Sequence, residues 1–171
     1  MMAPLVRRTW APRGKTPVLY QKTRSYRKIS VIAALTLPPK YRRVGLYFSQ
    51  RRNTNFTAPH ILRFLKDLSS QLQRPMIILW DRLQAHRSAL VRRWLEKHPG
   101  IQTEYFPSYA PELNPVEPFW GYLKSNPLSN WAPRDIQELA IASRYHAGRV
   151  RKNKSVLHSF LYATPLFSRP H

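Results

Sequence analysis

Two carboxylates, Asp81 and Glu117, stand where carboxylate chemistry is most readily built. Asp81 follows directly on residues 76–80 (MIILW), a short, wholly apolar run. Such a run predicts a strand buried on both faces of an α/β sheet, and ligands in these folds collect outside the carboxyl ends of strands. Its plainer reading is a turn residue or helix N-cap. Glu117 closes residues 105–117, a string framed by aromatics and prolines. There Asn114 suits a helix cap, Pro115 the first helical position and Glu117 the third, a capping-box arrangement. That reading leaves the tight aromatic and proline framing unexplained. His86 is a candidate for holding Asp81 or a phosphate, with a backbone-bonded loop histidine as its plain alternative. Asp67 reads as a solvated helix residue and Asp135 as a first-turn helix carboxylate.

The surrounding pattern predicts the elements that position these groups. Residues 28–36 (KISVIAALT) read as a buried strand, and Pro38 with Pro39 forces a turn. Residues 44–49 (VGLYFS) read as a second strand, antiparallel because the link is short. Between 57 and 72 the period changes: Ile61, Leu62, Phe64, Leu65, Leu68 and Leu72 form one helical stripe, with Thr57 as N-cap. Helices are also expected over 88–97, from Asn114-Pro115 to Asn126-Pro127, and over 133–148, with a short helical or irregular piece at 155–162 and a strand at 101–106. The order β-β-α-β-α-β-α-α predicts one mixed sheet flanked by helices.

Composition bounds the partners. The 171 residues suffice for one core, and 43% hydrophobic content excludes a disordered tail. Without cysteine there is neither a disulfide framework nor a thiolate metal site. No apolar run approaches the roughly 20 residues of a membrane span, and no signal-peptide core is visible, so a cytosolic protein is expected. There are 29 Lys+Arg against 8 Asp+Glu, a formal charge of +21. An excess of that size calls for a polyanion, and nucleic acid is the default. Residues 1–66 hold fifteen of these cations and no carboxylate at all. Arg7, Arg8, Arg13, Lys15 and Lys22 are reasonable phosphate contacts, with a solvated loop as the alternative. Trp10, Trp94 and Trp120 suit base stacking, though packing is the simpler role for the latter two.

Residues 81–86 (DRLQAH) and 106–117 (FPSYAPELNPVE) together resemble the second half of the DDE signature of mariner-superfamily transposases, with the bacterial insertion sequence 630 branch as the nearest type. Residues 8–17 (RTWAPRGKTP) are similar to the segment that follows the first catalytic aspartate there. The likeness runs from about residue 4 to about residue 165, which would make residues 1–165 one endonuclease domain and 166–171 a tail. It implies an RNase H-like fold. It also implies that Asp81 and Glu117, thirty-six positions apart, are the second and third metal-binding carboxylates. The implied cofactor is Mg²⁺ or Mn²⁺, two ions in an intact member, and the implied partners are DNA element ends, target DNA and further copies in a dimer or larger complex. Hard cations of this kind take carboxylate oxygens, and two of them roughly 4 Å apart serve the attacking and leaving oxygens of a phosphodiester.

The sequence departs from that pattern in three ways. No acidic residue precedes Asp67, so the family's first catalytic aspartate has no counterpart here. Arg82 stands where an asparagine is usual, either weakening metal binding or reaching toward phosphate. The helical DNA-reading region is also absent. The expected fold is therefore an RNase H-like mixed sheet lacking its first, central strand, with unpaired edges at residues 28–36 and 76–80 and with poor stability, aggregation or strand replacement by another chain as the consequence. Three functions follow from these readings: a metal-dependent transposase catalytic domain, a catalytically dead DNA-binding remnant, and a basic RNA-binding protein that would give Asp81 and Glu117 no role.

Overall fold

A computed structural model describes residues 6–18, 27–39 and 43–167. In chain order the elements are β1 (Ile29–Thr36), β2 (Gly45–Arg52), α1 (Ala58–Leu72), β3 (Met76–Trp80), α2 (Ala89–Glu96), β4 (Ile101–Tyr105), α3 (Val116–Ser125), α4 (Ile136–Lys152) and α5 (Lys154–Tyr162), with 3₁₀ turns at Pro111–Leu113 and Pro165–Phe167. They form two compact units, one from residues 1–54 and 116–160, the other from 55–115 and 161–171.

In the first unit β1 and β2 pair antiparallel, with Ala33 opposite Phe48 and Thr36 opposite Gly45. Glycine is required at that last pair. A Cβ on Gly45 would meet the Thr36 hydroxyl at 2.5 Å. The strand β2 runs three residues past the expected Ser49 to Arg52, and Asn53 then turns the chain with a left-handed φ of 55°. Phe48 projects onto α3, where it meets Phe119 edge-on at 6.1 Å; Phe119 in turn lies 6.0 Å from Phe160 of α5. Phe119 and Leu157 are fully buried and Leu46 nearly so, which marks the centre of this core. The amide of Gln50 crosses from β2 to α4: it donates to the Ala140 carbonyl at 2.8 Å and accepts from the Ser143 hydroxyl at 2.6 Å. This satisfies the one buried serine of α4.

Helix α4 starts at a side-chain cap, with Asp135 Oδ1 accepting from the Glu138 N–H at 2.8 Å. Asp135 is thus the N-cap itself, just ahead of the first turn. Replacing it with alanine is expected to cost about 1 kcal/mol, whereas asparagine retains most of the cap. Urea denaturation followed by far-UV dichroism reads this, and equal losses for both variants would remove the cap from the account.

In the second unit β3 and β4 pair parallel, from Met76 opposite Ile101 to Trp80 opposite Tyr105, with α2 as the crossover. Ile61, Leu65 and Leu68 on α1 lie at helical spacing and are buried, and α1 packs with α2 around the fully buried Val91. Helix α1 ends at Gln73, which takes the left-handed cap conformation.

The strands do not join as the expected single mixed sheet. Hydrogen bonding gives two sheets of two strands, because no other described strand pairs with β1 or β3. Nor is β3 buried on both faces. Ile77 is 65% and Leu79 49% exposed, since no described residue covers that side of the strand. No described helix is long and apolar enough to cross a membrane.

Candidate metal and nucleic-acid site

Asp81 leaves β3 at its carboxyl end, as the sequence indicates, and the loop behind it is tightly folded. Asp81 Oδ1 accepts the Leu83 N–H at 3.1 Å, an Asx turn. The same oxygen lies 2.9 Å from Nδ1 of His86. The His86 N–H donates to the Leu83 carbonyl and the Arg87 N–H to that of Gln84, which closes the loop before Ser88 caps α2. The His86 ring stacks flat on the buried Trp80 indole, 4.6 Å between centroids and 7° between planes. Its side chain is 13% exposed while that of Asp81 is 62% exposed. The turn reading and the chemical reading of Asp81 therefore coexist. One carboxylate oxygen is fixed by two contacts and the other is open to solvent.

Glu117 lies in the first turn of α3 and is exposed, with no hydrogen bond or ion pair among the described residues. The helix begins one residue later than the capping-box reading requires, so Glu117 is its second residue. The reason is local: the preceding 3₁₀ turn draws the Asn114 N–H onto the Pro111 carbonyl at 3.0 Å, and Asn114 closes that turn. Phe119, two positions after Glu117, anchors this end of α3 in the core. Asp81 belongs to the second unit and Glu117 to the first. Among the described residues no group of three or more His, Asp or Glu side chains is gathered to hold a metal ion.

Of the basic set, Arg7, Arg8, Arg13 and Lys15 lie on an exposed segment without regular structure, and Lys22 lies outside the described residues. Arg7 is tied down. The Asn130 side chain accepts its N–H at 2.7 Å and donates to its carbonyl at 2.9 Å, and the Arg7 guanidinium donates to the Ser125 carbonyl at 2.7 Å. Arg7 is thus partly spent on structure, while Trp10 on the same segment is fully exposed. Trp94 and Trp120 are half-buried, Trp94 stacking on His98 and Trp120 lying tilted against Phe119. His146 on α4 is held below the usual histidine pKa, first by burial and then by the neighbouring Arg149, so it is neutral at pH 7.

Sequence reasoning missed the Asn130 clamp, the Trp80–His86 stack and the conformation of Tyr109. Tyr109 is fully exposed with φ of 60°, an uncommon backbone for a bulky residue. An asparagine in a loop is a weak signal for a left-handed residue, and Asn130 does take φ of 52°. The stack and the tyrosine carried no sequence signal.

A carboxylate at the carboxyl end of a parallel strand stands where α/β folds commonly gather ligands. The protein matches the family model of the DDE superfamily endonucleases over residues 2–140, and it belongs to that family. Among solved structures it is similar to the Mos1 mariner paired end complex with Mn, at TM-score 0.65 and 14% identity over 95% of this chain and 48% of that one. It is also similar to the Mos1 strand transfer complex, at TM-score 0.54 and 12% identity over 98% of this chain and 51% of that one. The chain thus spans about half the length of the chains it matches, and the likeness is one of fold. A search of the curated proteins gives no match.

Proposed function

We propose that this chain is the catalytic domain of a DNA transposase of the mariner superfamily, insertion sequence 630 type, with an RNase H-like fold spanning residues 1–165. Its substrates are the DNA ends of its element and the target DNA, handled in a dimeric or larger complex of a nucleoid-associated, cytosolic protein. The observation that carries this reading is the state of Asp81. It ends a parallel strand with one oxygen fixed and the other open, in a chain of the DDE endonuclease family.

The residues present fit a hard divalent cation in part. Asp81 offers a free oxygen and Glu117 an unengaged carboxylate, and both are exposed. Bound Mg²⁺ or Mn²⁺ would supply charge stabilisation at the attacking and leaving oxygens of the phosphodiester. Asp81 and Glu117 would each serve as a ligand to such an ion, and His86 orients Asp81: packed on Trp80, its Nδ1–H holds Oδ1 and leaves Oδ2 without a partner among the described residues. Asn114 fixes the approach to α3 and so to Glu117. No residue before Asp67 is acidic, so these residues offer no counterpart of the carboxylate that the family places first.

Titration calorimetry with Mn²⁺ tests the ligand assignment. Asp81→Asn and Glu117→Gln are each expected to lower affinity at least tenfold, and His86→Ala by about tenfold, the usual size for a partner that orients a ligand. Wild-type affinity in both carboxylate variants would overturn the assignment. The 171-residue chain by itself is expected to lack Mg²⁺-dependent nicking, since two ions would share too few anchors. Robust nicking that Asp81→Asn abolishes would show that expectation to be wrong. The net charge of +21 supports a second reading, a non-enzymatic DNA-binding remnant. That reading predicts DNA affinity indifferent to Mn²⁺ and to both carboxylate variants.

A further inference from the structure

The loop between Asp81 and α2 carries more than the carboxylate. A cavity of about 480 Å³ opens in it, lined by Arg82, Gln84, Arg87 and Ser88. Two of these four side chains are guanidinium groups, and neither has a carboxylate partner among the described residues. The nearest acid in sequence, Asp81, pairs with His86 and, among the described residues, with neither guanidinium. Between Asp81 and Glu96 there is no other acidic residue. Two cations that share a cavity without a counter-charge repel each other, and an anion placed between them relieves that cost.

Arg82 is steadied for the task. Its Nε makes a long hydrogen bond to the Phe106 carbonyl at 3.4 Å, and its guanidinium carbon lies 6.0 Å from the Tyr105 ring centroid, so its two terminal nitrogens are left to face a ligand. Ser88 uses its oxygen as an acceptor for the Val91 N–H, which frees its hydroxyl proton to donate. The Gln84 amide adds further donors. The set is thus rich in donors and positively charged, and its planar forks match the oxygens of a phosphate.

We infer that this cavity binds one backbone phosphodiester of a nucleic-acid strand, in the loop that follows Asp81. The inference rests on the reading of the chain as DNA-directed, and it gives Arg82 a task distinct from metal binding: it seats the strand beside the carboxylate. The site contacts backbone only, so it positions DNA without reading sequence.

The test is fluorescence anisotropy of a labelled DNA duplex with the full chain in EDTA, across a series of salt concentrations. Arg82→Ala/Arg87→Ala is compared with Arg63→Ala/Lys66→Ala, which removes the same charge from the exposed side of α1. The first pair is expected to lower affinity about tenfold at fixed salt, about the size of one lost charge-assisted hydrogen bond, and to flatten the log–log salt slope by about one. The second pair is expected to lose clearly less. Arg82→Lys/Arg87→Lys should recover the slope but not the affinity, because lysine keeps the charge and loses the fork. Equal losses from the two alanine pairs, or full recovery with lysine, would overturn the site. All of these residues are exposed or nearly so, and thermal melts of each variant confirm folding. Because EDTA removes metal, the outcome is independent of the Mn²⁺ titration. Loss of the phosphate site with intact metal binding, or the reverse, separates the two proposals.

Discussion

Phe119→Ala is expected to cost about 3–5 kcal/mol, the range for deleting a buried aromatic ring. Phe119 is fully buried and meets Phe48 of β2, Trp120 of its own helix and Phe160 of α5. These neighbours come from three separate elements, so no single side chain can move to fill the space without loosening another. The cavity should therefore persist, and the cost should fall at the upper end of the range. Against a total stability of about 5–15 kcal/mol for a typical domain, that is a large fraction. Urea midpoints from far-UV dichroism measure it, and a loss below about 1 kcal/mol would mean that the core is not centred here. Phe119→Leu, which keeps most of the volume, is expected to lose well under half as much. The position also matters for chemistry. Phe119 is what fixes the start of α3, and Glu117 stands two residues before it. A loosened α3 should weaken Mn²⁺ binding in the alanine variant more than in the leucine variant.

The elements were legible where one physical signal dominated. The helical stripe of Ile61, Leu65 and Leu68 sets α1 to within a residue of the expected range, and the apolar run of residues 76–80 gives β3 in full. Asp81 falls at the strand end because five β-favouring residues stop there and a charged one cannot continue the run. Burial was harder. MIILW reads the same whether one face or both are covered, since apolar content reports the chain's preference and not the presence of a neighbour; only what packs on each face decides that, and Ile77 and Leu79 are left exposed on one of them. The start of α3 was off by a single residue for a similar reason. Pro111 and Pro115 are both compatible with a helix entry, and the 3₁₀ turn at Pro111–Leu113 took the Asn114 N–H first. The contacts that shape the site were less visible still. Nothing in the spacing of Trp80 and His86 shows that the loop folds back to stack them, because that depends on three backbone hydrogen-bonding choices made within residues 81–87.

Affinity for duplex DNA is expected to fall by about 10³- to 10⁵-fold between 50 and 200 mM salt, the response of a protein that neutralises about 6–10 phosphates. The expectation follows from charge and its placement. Fifteen of the 29 Lys and Arg residues lie before position 67, where no carboxylate exists to pair with them. Among these, Arg8, Arg13 and Lys15 lie on a fully exposed segment, which Asn130 pins through the Arg7 main chain. Pinning matters energetically, because a tethered basic segment loses less conformational freedom on binding than a free one. Asn130→Ala should therefore weaken binding while leaving the salt slope unchanged, since it removes no charge. The alternatives are resolved by the same titration. A slope shallower than about −3 would mean that few phosphates are engaged and that the net charge of +21 serves another purpose. Equal or tighter binding to an RNA duplex at matched salt would favour the RNA-binding reading, which gives Asp81 and Glu117 no role. A steep slope that does not change with Mn²⁺ would show that backbone charge brings the strand to the protein without help from the carboxylates, as the non-enzymatic reading predicts.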